Sequence, residues 1–254
     1  MENHGKITQE QLEEFIESMA TAFSGLTGPV MRELFGNEEV LREKLRGIFV
    51  LGGTEETDWR QEWTRFYREV FRLAVDLSGV VLPAEAEDFI WLVVLAKELG
   101  DKPLNKAFAA CRKWFSGSVG TYTNDLDVTF SVNDRDPKSG SYAIRVRARV
   151  EADEENVNLS ANDIYERELV TMTVLERMVL ELFYFWKTGK HLDLQNYTLC
   201  SGTRGGDGHV PRCNSYDAND HSRRNSWRSD VFEVHWGDAK SAFKFLRARE
   251  VKTV

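Results

Sequence analysis

The chain has little cysteine, little proline and no long apolar run. Its three cysteines, Cys111, Cys200 and Cys213, supply no disulfide framework. No stretch approaches the ~18 consecutive apolar residues of a membrane span. Residues 1–15 are acidic and lack an apolar signal-peptide core, so a cytoplasmic protein is expected. Positive charge is not in excess either. The net charge of −8 and sequence pI of about 5.3 argue against general binding to nucleic acid or anionic membranes. Catalytic signatures are missing as well: there is no CxxC, HxH or HExxH. The glycine-rich stretch Gly202–Gly208 has no Lys-Ser/Thr and no helix pattern after it, so it reads as a turn and not a phosphate cradle. No cofactor and no bound metal are expected.

What is there suffices for a core. Hydrophobic residues make up 42% of 254 positions, and a chain of this length buries roughly 70% of its unfolded surface. Charge is uneven. Residues 1–118 carry 14 Lys/Arg against 20 Asp/Glu, residues 119–190 carry 9 against 13, and residues 191–254 carry 10 against 8. The tail alone is net positive.

Residues 1–118 read as a helical support domain. Thr8 with Gln11 is a capping-box signature, and Leu12, Phe15, Ile16, Met19 and Phe23 follow at helical spacing. A further helix is expected near Glu38–Phe49. Thr57 is placed to cap a helix whose Trp59, Trp63, Phe66, Val70, Phe71 and Leu77 form one apolar face, read as core. Pro83 opens another helix that Gly100 ends, and Pro103 opens the last, with Leu104, Ala107, Phe108, Cys111 and Phe115 inward. Residues 89–95 are continuously apolar and fit a buried helix or a buried strand equally.

The period then changes to two. Asp125, Asp127 and Thr129 alternate with Leu126, Val128 and Phe130. After the turn-rich Asn133–Gly140, Arg145, Arg147 and Arg149 alternate with apolar neighbours. This predicts a β-hairpin, with the arginines on a solvated face opposite Asp125 and Asp127. Thr173 with Glu176 opens a strongly apolar helix that Gly189 stops.

The tail differs. Residues 201–230 hold eight Asn/Ser, five Arg, four Asp and four Gly, with Val210 as the one branched aliphatic residue. From Asn214 to Ser226 no regular core element is expected. Alternating stretches on either side, Tyr197–Cys200 and Val231–Trp236, read as strands that display the loop. Rigidly mounted polar loops are where recognition concentrates. Candidate contact residues are Arg204, Tyr216, Asn219, His221, Arg223, Arg224 and Trp227. A zinc set of Cys200, His209, Cys213 and His221 does not match the common ligand spacings. A cysteine hydrolase using Cys200 with His209 or His235 is the alternative function, and a structural or mobile-element interaction protein is a third.

Residues 83–254 carry motifs that resemble a set of proteins of unassigned activity from candidate-phyla bacteria. The resemblance rests on Asn133–Pro137, Gly140–Arg147, Val150–Glu155, Asn158–Asn162, Thr188–Asp193, Thr198–Gly202, Asp207–Pro211 and Leu246–Val251. It departs after Pro211, where the polar insertion stands. More distantly, by composition and element order, the tail is similar to the variable proteins of diversity-generating retroelements, which display changeable residues on a C-type-lectin-like fold. These resemblances imply relatives and a display scaffold, not a reaction. The expectation is an α+β protein: a helical domain over 1–118, then an α+β module over 119–254. That module has a β-hairpin, a central core helix and a strand-rich, long-looped C-terminus. It is expected to recognise a protein or other macromolecule without catalysis.

Overall fold

The computed structural model describes residues 58–115, 118–215 and 230–254. The expected helices before residue 58, and most of the 201–230 loop, lie outside the described residues. The fold is mixed α+β.

Helix α1 spans Trp59–Phe66 and continues as a π-helical turn, Tyr67–Phe71, that ends at Arg72 in the left-handed region (φ 61°). Asp58 caps it, accepting from the Arg60 N–H. Its apolar stripe faces the core as expected: Trp63 stacks on Phe183 at 4.0 Å. The helix expected from Pro83 to Gly100 does not form. Residues 91–95 are strand β1 (Trp91–Leu95), buried at every position, and only a 3-10 turn, Lys97–Leu99, precedes Gly100. Paired Val residues and an aromatic favour the extended form when both faces are covered. Helix α2 (Pro103–Trp114) begins at its proline and buries Leu104, Ala107, Phe108 and Cys111, as its spacing predicts.

The expected hairpin is replaced by other pairings. Strand β2 covers Ser118–Thr121. Residues 126–129 form a single helical turn, α3 (Leu126–Thr129), because the Asp125 carboxylate accepts from the Val128 N–H and caps it. A short β3 (Val132–Asn133) follows, then β4 (Tyr142–Val146), which pairs antiparallel with β1, Val93 opposite Ile144. The arginine stripe does not meet Asp125 or Asp127. Arg145 donates to the Pro83 carbonyl, Arg147 binds Asp153 and Glu250, and Arg149 binds Glu155. These cations are neutralised within the fold and are not offered to phosphate.

Helix α4 (Ala161–Glu166) and helix α5 (Val174–Thr188) both carry capping boxes. The Thr173–Glu176 box and the Gly189 stop (φ 70°) of α5 stand where the sequence predicts them. The remaining strands are β5 (Tyr197–Leu199), β6 (Thr203–Arg204), β7 (Val210–Ser215), β8 (Asp230–Gly237), β9 (Leu246–Ala248) and β10 (Val251–Lys252). Among the described residues three sheets result, ordered β1-β4-β10, β2-β8-β7-β5-β9 and β3-β6. Described elements on both sides of residue 118 pack together. β1 pairs with β4 across it, and α1, β1, α2, α5 and β8 share one hydrophobic core.

The five-stranded sheet has unlike faces. One packs on the core around α5. The other has a small apolar cluster, with Leu159, Ile164, Leu199 and Leu246, at its β5–β9 side. Toward β8 that second face turns polar.

Candidate functional site at the β7–β8 root

β7 ends at Ser215 and β8 begins at Asp230, with Ser215 paired to Phe232. Residues 216–229 therefore connect two neighbouring antiparallel strands in the middle of the sheet. Asn214 and Ser215, expected in the loop, are buried strand residues. The Ser215 hydroxyl donates to Glu181 on the core face, and Asn214 stands opposite Glu233 on the other.

On the core face the partners are ionic. Helix α5 places Arg177 and Glu181 one turn apart, 2.6 Å from each other and with no side-chain exposure. The chain then stops at Gly189 and returns. Asp193, in the left-handed region (φ 53°), accepts from Arg177 Nε at 2.9 Å and Arg249 Nη2 at 2.7 Å, and Thr198 also donates to it. Glu181 accepts from the Leu192 N–H at 3.2 Å and the Ser215 hydroxyl at 3.3 Å, and its Oε1 lies 2.8 Å from His191 Nδ1. His191 is packed against the rings of Phe115 and Phe185. Two guanidinium groups thus face two carboxylates, and the buried frame is close to neutral. Burial pushes both carboxyls up. For Asp193 the charges of Arg249 and Arg177 with the hydrogen bonds from Thr198 and Arg249 together outweigh it, and for Glu181 the charge of Arg177 with the hydrogen bonds of His191 and Arg177 do so together, so both end below the ordinary carboxylate value.

On the other face the strand register sets Arg212 opposite His235 and Asn214 opposite Glu233. Glu233 and His235 are joined at 2.6 Å, and the Tyr122 ring lies 5.0 Å from that of His235. Arg212 sits over Tyr197 and Phe243. Asn214 is 3% exposed, and its Oδ1 has no hydrogen-bond partner among the described residues.

Of the residues read as contacts, Arg204 lies in β6. Its guanidinium folds back onto the carbonyls of Ser201 and Thr203, so its polar end is used locally. Burial lowers its pKa. Tyr216, Asn219, His221, Arg223, Arg224 and Trp227 lie outside the described residues. The structure does not bring the described members of the zinc set, Cys200, His209 and Cys213, together. Cys200 and Cys213 are fully buried, whereas His209 is at the surface beside Asp207, 2.9 Å away. Among the described residues no three His, Cys, Asp or Glu side chains gather as a metal-binding group. Cys200 is unlike a nucleophile: burial pushes its thiol well up, and Sγ donates to the Thr198 carbonyl. The glycine-rich stretch is a turn, closed by Gly205 N–H to the His209 carbonyl at 2.8 Å. Gly202 is required by close approach, since a Cβ there would meet the Thr171 carbonyl oxygen at 2.9 Å.

The residues of this root that sequence reasoning missed are Arg177, Glu181 and Asp193. A usable signal existed: Arg177 and Glu181 form a complementary i, i+4 pair inside the most apolar helix among the described residues. No helix among the described residues is long and apolar enough to cross a membrane. No family model, curated protein or solved structure matches the chain.

Proposed function

We propose that the protein is a non-enzymatic recognition protein that uses residues 216–229 to bind a protein or other macromolecule. The observation that carries this reading is the anchoring of the segment's root. Ser215 is held in strand register with Phe232 and by its hydroxyl on the buried Glu181–Arg177–Asp193–Arg249 frame. A fixed root lowers the ordering cost of a polar surface that supplies arginine, aromatic and amide contacts. Arg204, Tyr216, Asn219, His221, Arg223, Arg224 and Trp227 remain the proposed contact set, with Arg204 in a supporting role at the segment's flank.

The reading extends to a C-type-lectin-like display scaffold with a diversified segment, working in the cytoplasm. Element order and the position of the polar segment between adjacent strands support the first part. Three free, buried cysteines support a reducing compartment.

The test replaces 216–229 with a short Gly/Ser connection and compares quantitative affinity capture with that of the full chain. Partners lost with the replacement, at unchanged melting temperature, support recognition through this segment; a partner set that stays the same overturns it. Diversification is read from the gene. Adenine-rich codons across the segment, a nearby near-copy of it and a reverse transcriptase gene would support it, and their absence would remove that part alone.

A further inference from the structure

We infer that the groove between helix α1 and the end of α5 binds a short, extended acidic segment of a partner protein. The groove has a volume of about 800 Å³. Arg60, Thr64, Arg65 and Arg68 line it from α1 and the π-helical turn, and Trp186 and Lys187 line it from α5. The three arginines are exposed.

The charges here are unequal. Four cations, Arg60, Arg65, Arg68 and Lys187, line the groove against one acid, Glu62. The nearby acids are committed. Glu62 is paired with Lys187. Glu69 accepts from Arg65 through Oε1 and from the Trp186 indole N–H through Oε2. Asp58 caps the start of α1. Even with Asp58 and Glu69 counted, the set stays positive. Arg60 lies over the Trp59 ring at 4.5 Å, which leaves its N–H fork open. Neither Arg60 nor Arg68 has a carboxylate partner among the described residues. Residues 58–254 are otherwise near balance, with 28 Lys/Arg against 30 Asp/Glu. Charges further off than a Debye length, about 8 Å at physiological salt, are screened, so the local set decides.

Spacing and number decide which anion. Arg60, Thr64 and Arg68 follow at intervals of four, which sets the two unpaired arginines roughly 12 Å apart along the helix axis. In an extended chain, residues four apart share a face and lie roughly 13 Å apart. Two carboxylates so placed reach both arginines, and each accepts a charge-assisted hydrogen bond. The Thr64 hydroxyl, which has no partner among the described residues, faces the stretch between them. A single phosphate cannot span the pair. A nucleic acid brings more charge than two arginines neutralise, and its bases would find the Trp59 and Trp186 rings already covered by Arg60 and Arg65. The groove uses none of the residues on which the recognition reading of 216–229 rests, so either can fail alone.

The full chain is titrated into a fluorescein-labelled peptide of alternating Glu and Ser, at low salt, and anisotropy is followed. Saturable binding is expected, with a Kd on the order of 0.1–1 mM. Raising salt to about 0.2 M should weaken it several-fold. The R60E/R68E variant is expected to keep its melting temperature and to lose at least about tenfold in affinity, because like charges then meet. The R60K/R68K variant should retain most of the binding. No saturable binding, equal binding of the peptide with Gln in place of Glu, unchanged affinity in R60E/R68E, or tighter binding of an oligothymidylate of equal charge would each overturn the proposal.

Discussion

The Ser215 hydroxyl lies 3.3 Å from the Glu181 carboxylate, inside the core and at the last residue of β7. It links the beginning of the 216–229 segment to the ionic frame of α5. Ser215→Ala removes this link but leaves Glu181 with Arg177, His191 and the Leu192 N–H. The expected loss is about 1 kcal/mol in urea unfolding, at unchanged slope. A loss near zero would mean that the frame does not support the strand end.

The frame itself predicts a larger and non-additive effect. Arg177→Met leaves Glu181 and Asp193 buried with fewer opposing charges, and should cost about 3–5 kcal/mol. Glu181→Leu alone should also be costly, because Arg177 and His191 lose a shared partner. The double variant should be less damaged than the sum of the two, by at least about 1 kcal/mol. Additive losses in denaturant unfolding would show that the pair is not coupled.

The frame also sets a pH dependence. Glu181 and Asp193 have folded-state values below the ordinary carboxylate value. Their contribution is therefore present above the unfolded value, about 4, and is lost as pH falls through the folded values. Glu151 and Asp153, which burial pushes up, act with the opposite sign: protonation favours the folded state as pH falls through their raised values. The two sets are separated by variants. Melting temperature below pH 4 should fall less steeply in Glu181→Gln than in the wild type, from a lower starting value at pH 7. Parallel acid limbs would contradict the assignment.

Tyr67 covers the edge of β1 with one hydroxyl. It donates to the Val94 carbonyl at 2.7 Å and accepts from the Ala96 N–H at 3.1 Å, in full burial. A side chain here takes the place of a neighbouring strand. Tyr67→Phe leaves two buried backbone groups unpaired and should cost about 2–3 kcal/mol. The Ala96 amide should show the largest gain in hydrogen exchange; an unchanged rate would mean that another group satisfies it.

Some of this was legible in the sequence and some was not, for physical reasons. The Thr173–Glu176 box, Pro103 and Gly189 were readable because capping chemistry is local. β8 was readable because Val231–Trp236 alternates. Residues 89–95 were undecidable because a strand buried on both faces loses its period. Asp125–Phe130 was misread because a local cap competed with an alternating pattern and won. The frame was hidden for a third reason. Asp193, Thr198, Ser215 and Arg249 are scattered in sequence, and only the sheet and the return after α5 bring them to Arg177 and Glu181. Asn214 and Ser215 look like loop residues until their partners are known.

The cysteines give the sharpest separation between recognition and the hydrolase alternative. A nucleophilic thiol needs thiolate character and access. Cys111, Cys200 and Cys213 are all fully buried, and burial pushes the thiols of Cys111 and Cys200 well up. Native protein at pH 7.5 should therefore react with Ellman's reagent only as fast as it opens, and should release three thiols once unfolded. Cys200→Ala should leave any background esterase rate unchanged. It should also lower stability modestly, by about 1 kcal/mol, for a small buried sulfur replaced by a methyl group. One thiol reacting at once in the native state, with a hydrolytic rate lost in Cys200→Ala, would favour the enzyme reading. Protection of all three would leave the β7–β8 root as the place where function is sought.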